Sequence, residues 1–438
     1  MKTSIWWWFS TVVSAVLIFV LIQLWSQMNR YEIDPTQLVD SAAVDSYLMQ
    51  NWESIDHAGA ADDGPLIKIP TGIFIQSLKF FNSTEVNLSG YIWQRYSDGV
   101  HDALKPAPGV AGFILPEQVQ SGDDVEPREV YRIRQGDEEV IGWYFEATLR
   151  QPFDYFFYPF DHKTVWVRMW PQQFARNVVL VPDFSAYRAT GLSDVFGIEN
   201  EIVLGAWERE NTFFDFKPTC YDTNFGINNY VGQTGFPELY YNFVIKRKAS
   251  NAFIVYLLPL FLVAALLFSA ILTITAKPKL LEMHGFNTTG VLGTCSVLFF
   301  VVLLAHIQLR EEFAASSIVY MEYFYFLMYA MLVVVAANTY LFSIGAAVPL
   351  KIVHYRDNLI PKLLFWPALL LSMIIITAYV LWVVGPTQER SLHECADNAG
   401  PASAYQQGAP ESRSMAGTGV VTKLLQQYGR RDDVTGSF

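Results

Sequence analysis

The chain has 438 residues, 52% of them hydrophobic and 15% aromatic, with a net charge of −12. A positive mean hydropathy at this length excludes an ordinary soluble enzyme, because most of the apolar side chains must meet lipid or a protein core. The acidic balance gives no reason to expect a nucleic-acid partner.

In chain order, Ile5 to Trp25 is uninterrupted by charge, follows Lys2 and carries Trp6, Trp7 and Trp8. Residues 1–30 read as a signal anchor or a signal peptide. The run is longer than a usual signal core, and Ser26-Gln27-Met28-Asn29-Arg30 has no small-x-small cleavage pattern, which favours an uncleaved anchor. Residues 31–65 read as an acidic linker with a short helix.

Residues 66–248 show the period-two alternation of half-buried strands. Strands are expected at Ile73 to Leu78, Val86 to Arg95, Glu129 to Arg134, Val140 to Glu146, Thr164 to Met169, Val178 to Val181, Ile202 to Glu208 and Leu239 to Arg247. Short strands at this spacing predict an antiparallel β-sandwich. Four apolar runs follow at about 253–275, 288–309, 318–345 and 363–385, each long enough as a helix to cross ~30 Å of hydrocarbon. Lys277, Lys279, Lys351, His354, Arg356 and Lys362 place their loops on the cytoplasmic side, so the acidic domain faces out. The tail, 386–438, reads as disordered and extracytoplasmic.

Chemistry-bearing motifs are sparse. Cys220, Cys295 and Cys395 fall in three different regions and cannot build a disulfide framework within the outward domain. The seven histidines lack zinc spacing, and there is no nucleotide-binding glycine loop or nucleophile elbow. The expectation is a non-enzyme with no cofactor and no resident metal. The acidic clusters Asp123-Asp124-Val125-Glu126 and Asp137-Glu138-Glu139 read as solvated loops, with calcium as the alternative.

Three features then point the same way. Tyr158-Pro159-Phe160-Asp161 forms a compact motif, Arg247 stands twelve residues before Pro259, and four helices follow with a tight turn before the third. In this ordered set, from about residue 66 to 385, the chain resembles the pentameric ligand-gated ion channel (Cys-loop receptor) superfamily. The resemblance implies a receptor sandwich above a four-helix pore domain (249–385), assembled with four identical subunits around a pore lined by the second of those helices. Gln151 and Val165 occupy the positions of the bridging cysteines, so the covalent loop is absent, as in prokaryotic members. Ile114-Leu115-Pro116-Glu117 only loosely matches the Trp-x-Pro-Asp motif, and the loop at 346–362 is short. A bacterial inner membrane with a periplasmic receptor domain fits best, although Asn82-Ser83-Thr84 and Asn87-Leu88-Ser89 would be glycosylation acceptors in a eukaryote.

The resemblance also implies sites. Gating contacts are expected at Pro159, Phe160, Asp161, Arg247, Arg310 and Glu311, with the hairpin loop Phe81 to Thr84 nearby. Aromatic positions for an unknown small-molecule or ion agonist are Tyr91, Trp93, Trp170, Tyr221, Phe225 and Tyr230. Two stripes compete to line the pore: Asn287, Val291, Thr294 and Leu298, or Gly293, Val297, Phe300 and Leu304. Cations are favoured by Glu311 and Glu312, with Glu282 and His284 near the inner mouth. The rival reading is a non-conducting membrane sensor or scaffold with the same fold.

Overall fold

The computed structural model describes residues 2–51, 66–119, 125–173, 176–219, 221, 223, 225–226, 236–278, 287–313, 318–345 and 351–384. Tyr230, Lys279, Glu282, His284, Cys220, Cys395, Asp123, Asp124, the stretch 52–65 and the tail lie outside them.

The wet segment forms two facing sheets. One is six-stranded, with β1 (Ile67–Phe80), β2 (Glu85–Ser97), β4 (Gln118–Val119), β5 (Val125–Gln135), β6 (Glu138–Arg150) and β8 (Val178–Pro182). The other runs β3 (Phe113–Ile114), β7 (His162–Pro171), β10 (Phe236–Arg247) and β9 (Trp207–Thr219). Alternation decides which side chains meet between the layers. On β2, Val86, Leu88, Ile92 and Tyr96 are buried, while Tyr91 and Trp93 point to the opposite face. Each large apolar side chain sealed this way contributes ~1.5–3 kcal/mol.

The strand expected at Ile202 to Glu208 lies later. Residues 202–206 are irregular, Gly205 takes a left-handed φ of 60°, and β9 starts at Trp207. The left-handed residue reverses the chain before pairing can begin. The β5–β6 hairpin turns at Gly136-Asp137, with Gln135 paired to Glu138.

Among the described residues, five helices are long and apolar enough to cross a membrane: α1 (Lys2–Met28), α3 (Ala249–Thr273), α4 (Thr288–Glu312), α5 (Tyr320–Ile344) and α6 (Leu359–Tyr379). A short helix, α2 (Ser41–Gln50), is capped by Asp40 and buries Val44 and Leu48 in the sandwich core. Pro259 in α3 cannot donate to the carbonyl four residues back, and a π turn at Phe253–Leu257 absorbs the mismatch. Helices α3, α4, α5 and α6 share one apolar core, and α1 lies along α6. The start of α3, the end of α4, the start of α5 and the ends of α6 and α1 all lie at the sandwich end.

Candidate functional site: the seam between sandwich and helices

The 151–166 loop projects from the sandwich onto the helices. Gln151 closes it: its amide oxygen accepts from the Trp166 backbone N–H at 3.3 Å, and its amide nitrogen donates to the Trp166 carbonyl. The side chain is fully buried, and its own N–H donates to the Thr84 carbonyl at 2.8 Å. One side-chain amide thus closes the loop by hydrogen bonding. Gln151→Ala should strip both Trp166 backbone groups of partners, costing about 1–3 kcal/mol. The check is faster amide exchange at Trp166 together with a lower thermal midpoint; an unchanged Trp166 would remove Gln151 from this role.

Inside the loop, the aromatic motif reaches the helix ends. Tyr158 packs on Phe313 with ring centroids 4.6 Å apart and on Tyr256 at 6.0 Å, and the peptide between Tyr158 and Pro159 is cis. Tyr155 touches Phe313 at 5.3 Å, and its hydroxyl reaches the Ser83 carbonyl at 3.4 Å, bringing in the β1–β2 loop. The Phe156 carbonyl accepts from the Tyr320 N–H at 2.7 Å, fixing the first turn of α5 to the loop.

Asp161 and Arg247 form the bidentate pair at the centre of this seam. Nε donates to Oδ1 at 2.6 Å and Nη2 to Oδ2 at 3.0 Å, with both side chains largely buried. The guanidinium also lies 4.1 Å from the Trp207 ring and 4.8 Å from Tyr158. Planar, weakly hydrated guanidinium suits such a site, where lysine would not. Two-point pairing holds the first strand after the loop and the last strand before α3 in one register.

A residue that the sequence reading missed completes the seam. The Lys163 side chain is only 1% exposed, with Nζ 3.9 Å from Asp161 Oδ2 and 2.9 Å above the centre of the Tyr155 ring. Phe153 and Trp207 form further walls, and Nζ has no hydrogen-bond partner among the described residues. Burial pushes the Lys163 ammonium down to about 7; Asp161 opposes this shift and Arg247 adds to it.

Two of the expected junction residues stand elsewhere. Arg310 binds Glu322 across α4 and α5 at 3.2 Å, and Glu311 is exposed. Glu312, hydrogen-bonded by the Tyr256 hydroxyl, and Phe313 are the α4 residues engaged at the seam. Pro159 and Phe160 lie in the turn, with Phe160 6.4 Å from the Tyr320 ring.

The expected agonist aromatics separate into two groups. Trp170, Tyr221 and Phe225 cluster, with centroids 5.6 to 6.3 Å apart. Beside them, Arg168 bridges Glu117 and Glu238, and the Tyr221 hydroxyl donates to Glu238 at 2.7 Å. Burial raises the Glu117 carboxyl. Tyr91 and Trp93 sit on β2 in the other sheet, so the fold of the chain does not bring the two groups together. Trp93 is engaged there: it lies over Gly72, packs on Tyr187 at 5.7 Å and donates to Asp183 at 2.9 Å.

On α4 the two stripes have different surroundings. Val291 and Leu298 are each 6% exposed and pack within the chain, while Asn287 caps the helix by accepting from the Gly290 N–H at 2.6 Å. Of that stripe Asn287, at the helix cap, and Thr294 are exposed. In the rival stripe Val297, Phe300 and Leu304 are 63%, 61% and 63% exposed, and Gly293 is exposed with them. Val291 and Leu298 thus belong to the core shared by the helices, and the Val297, Phe300 and Leu304 face does not. Among known proteins, no family model and no curated protein matches this chain.

Proposed function

We propose that the chain is one subunit of a homopentameric ligand-gated ion channel in a bacterial inner membrane, with its sandwich in the periplasm. The observation that carries this reading is the packed seam where the 155–161 turn meets the helix ends, with Tyr158 on Phe313 and Tyr256 and the Phe156 carbonyl on the Tyr320 N–H, backed by the buried Asp161–Arg247 pair at the end of the strand that leads into α3. A domain that must only be tethered needs a linker; a domain that must transmit a displacement needs such a joint. Two sets of contacts across a packed seam can be bistable, and a ligand that binds one arrangement better shifts the balance.

The pore is lined by the exposed α4 stripe of Gly293, Val297, Phe300, Leu304 and Ile307. Its small end holds water and its apolar half closes by dewetting. The agonist sits between subunits, where the Trp170, Tyr221 and Phe225 cluster of one faces the Tyr91 surface of the next. Exposed Glu311 at the outer mouth favours cations.

Phe300→Ser and Leu304→Ser should each raise the resting current severalfold in planar bilayers, because a hydroxyl at a dewetted constriction restores water. Phe300 also favours a second reading, a non-conducting sensor whose axis is too bulky to hydrate. Variants that assemble and stay silent would select it.

A further inference from the structure

We propose that α1 is kept as a fifth membrane span of the working protein and that Trp25 at its outer end positions the 156–161 turn. The gating part of this inference rests on the channel reading above; the positioning part does not.

Helix α1 is fixed at both ends. Near its start the Ser10 hydroxyl donates to the Leu363 carbonyl on α6 at 2.6 Å; near its end the Trp25 indole N–H donates to the Tyr320 hydroxyl at 2.8 Å. Those attachments are about 22 Å apart along a helix rising 1.5 Å per residue. Leu21 and Met28 are buried in the same apolar core as α3 to α6. A leader destined for removal has no use for a fit held near one end by α6 and near the other by α5.

The bonding at Tyr320 has a defined direction. Thr377 Oγ1 donates to the Met373 carbonyl at 2.7 Å, so its proton is committed and Tyr320 must donate to it across 2.6 Å. The lone pairs of Tyr320 are then open to the Trp25 N–H. The relay from Trp25 through Tyr320 and Thr377 to Met373 ties α1, α5 and α6 at the level of the seam, with every donor matched to an acceptor.

The same indole lies 5.9 Å from the Phe160 ring and 6.5 Å from Phe324. Beyond α1 the chain climbs the sandwich: Tyr31 packs on His162 at 5.9 Å, and the Leu38 N–H donates to the Phe214 carbonyl at 2.8 Å on edge strand β9. The polypeptide therefore crosses the seam twice, once at residues 28–31 and once at residues 247–249. Phe160 and Asp161 are consecutive, and each is held by a different crossing, Phe160 by Trp25 and Asp161 by Arg247. Movement of α1 in the bilayer acts directly on the turn, so α1 sets the closed-to-open balance.

The test uses full-length protein in lipid nanodiscs. Intact mass should correspond to the whole 49.7 kDa chain. Trp25→Phe keeps a ring against Phe160 and loses the donor; Trp25→Ala loses both. Amide exchange across 156–161 should rise about tenfold in Trp25→Ala and less in Trp25→Phe, the size set by one hydrogen bond and one ring contact. Exchange at Phe214 and Tyr241 in the sandwich should not change. In bilayers, Trp25→Ala should alter open probability and leave unitary conductance alone. A mature chain lacking α1, or unchanged turn exchange in both variants, overturns the inference. Mass and exchange decide it whether or not the wild type conducts, so its failure is separable from that of the channel reading.

Discussion

Replacing Arg247 with Gln should be among the most damaging single changes in the sandwich, costing about 3–5 kcal/mol. The cost comes from what is left behind. Asp161 is only 3% exposed, and without the guanidinium its carboxylate keeps one nearby cation, Lys163, at 3.9 Å. That distance is too long for the short charge-assisted bonds Arg247 supplies at 2.6 and 3.0 Å. Asp161→Asn should cost a similar amount by stranding Arg247, which would retain the Trp207 and Tyr158 rings and a more distant attraction to Glu312. The double variant should recover part of the loss, because two neutral amides need less solvation than one unpaired ion. Thermal midpoints of the four proteins form the cycle; strictly additive losses would mean that the pair is not an energetic unit.

Lys163→Met should stabilise the protein at neutral and acidic pH. The folded-state ammonium titrates near 7, against 10.5 for the free side chain. Between those values the unfolded chain binds the additional proton, so stability rises with pH across the window. Below about pH 7 both states are protonated and the penalty is fully present; above about 10.5 it is gone. At 1.36 kcal/mol per unit the full penalty is about 5 kcal/mol. The advantage of Lys163→Met should therefore be largest below pH 7 and shrink toward pH 10. A gap between variant and wild type that does not change with pH would contradict the buried, reluctantly charged lysine. The two predictions are coupled: in Arg247→Gln, Asp161 lacks its partner and should hold the Lys163 proton more tightly, moving the titration up.

Protonating Lys163 adds a second cation beside Asp161, next to the pair that ties the start of β7 to the end of β10.

Much of the sandwich was legible in the sequence for a physical reason: period-two burial writes itself into β2 and β7, and the Pro-Phe-Asp turn and Arg247 stand at the two ends that β7 and β10 bring together. Lys163 was legible too. On β7 it shares the parity of Val165, Val167 and Met169, all buried, which placed it on the inner face despite its charge. What the sequence could not supply is packing between distant elements. The α4 register was undecided until α3 and α5 covered Val291 and Leu298. Trp25 sits in an apolar run with nothing local to mark it as a partner of Tyr320, 295 residues away. The boundary of β9 was misplaced because Ile202 and Val203 look like strand residues, yet Val203 is 85% exposed.

Planar-bilayer recording of the purified protein under an asymmetric salt gradient, across pH and calcium, tests the central claim most directly. The account predicts discrete currents, a reversal potential on the cation side, and larger resting currents in Phe300→Ser and Leu304→Ser. Silence in the wild type and in both variants, all assembled as pentamers, would contradict it.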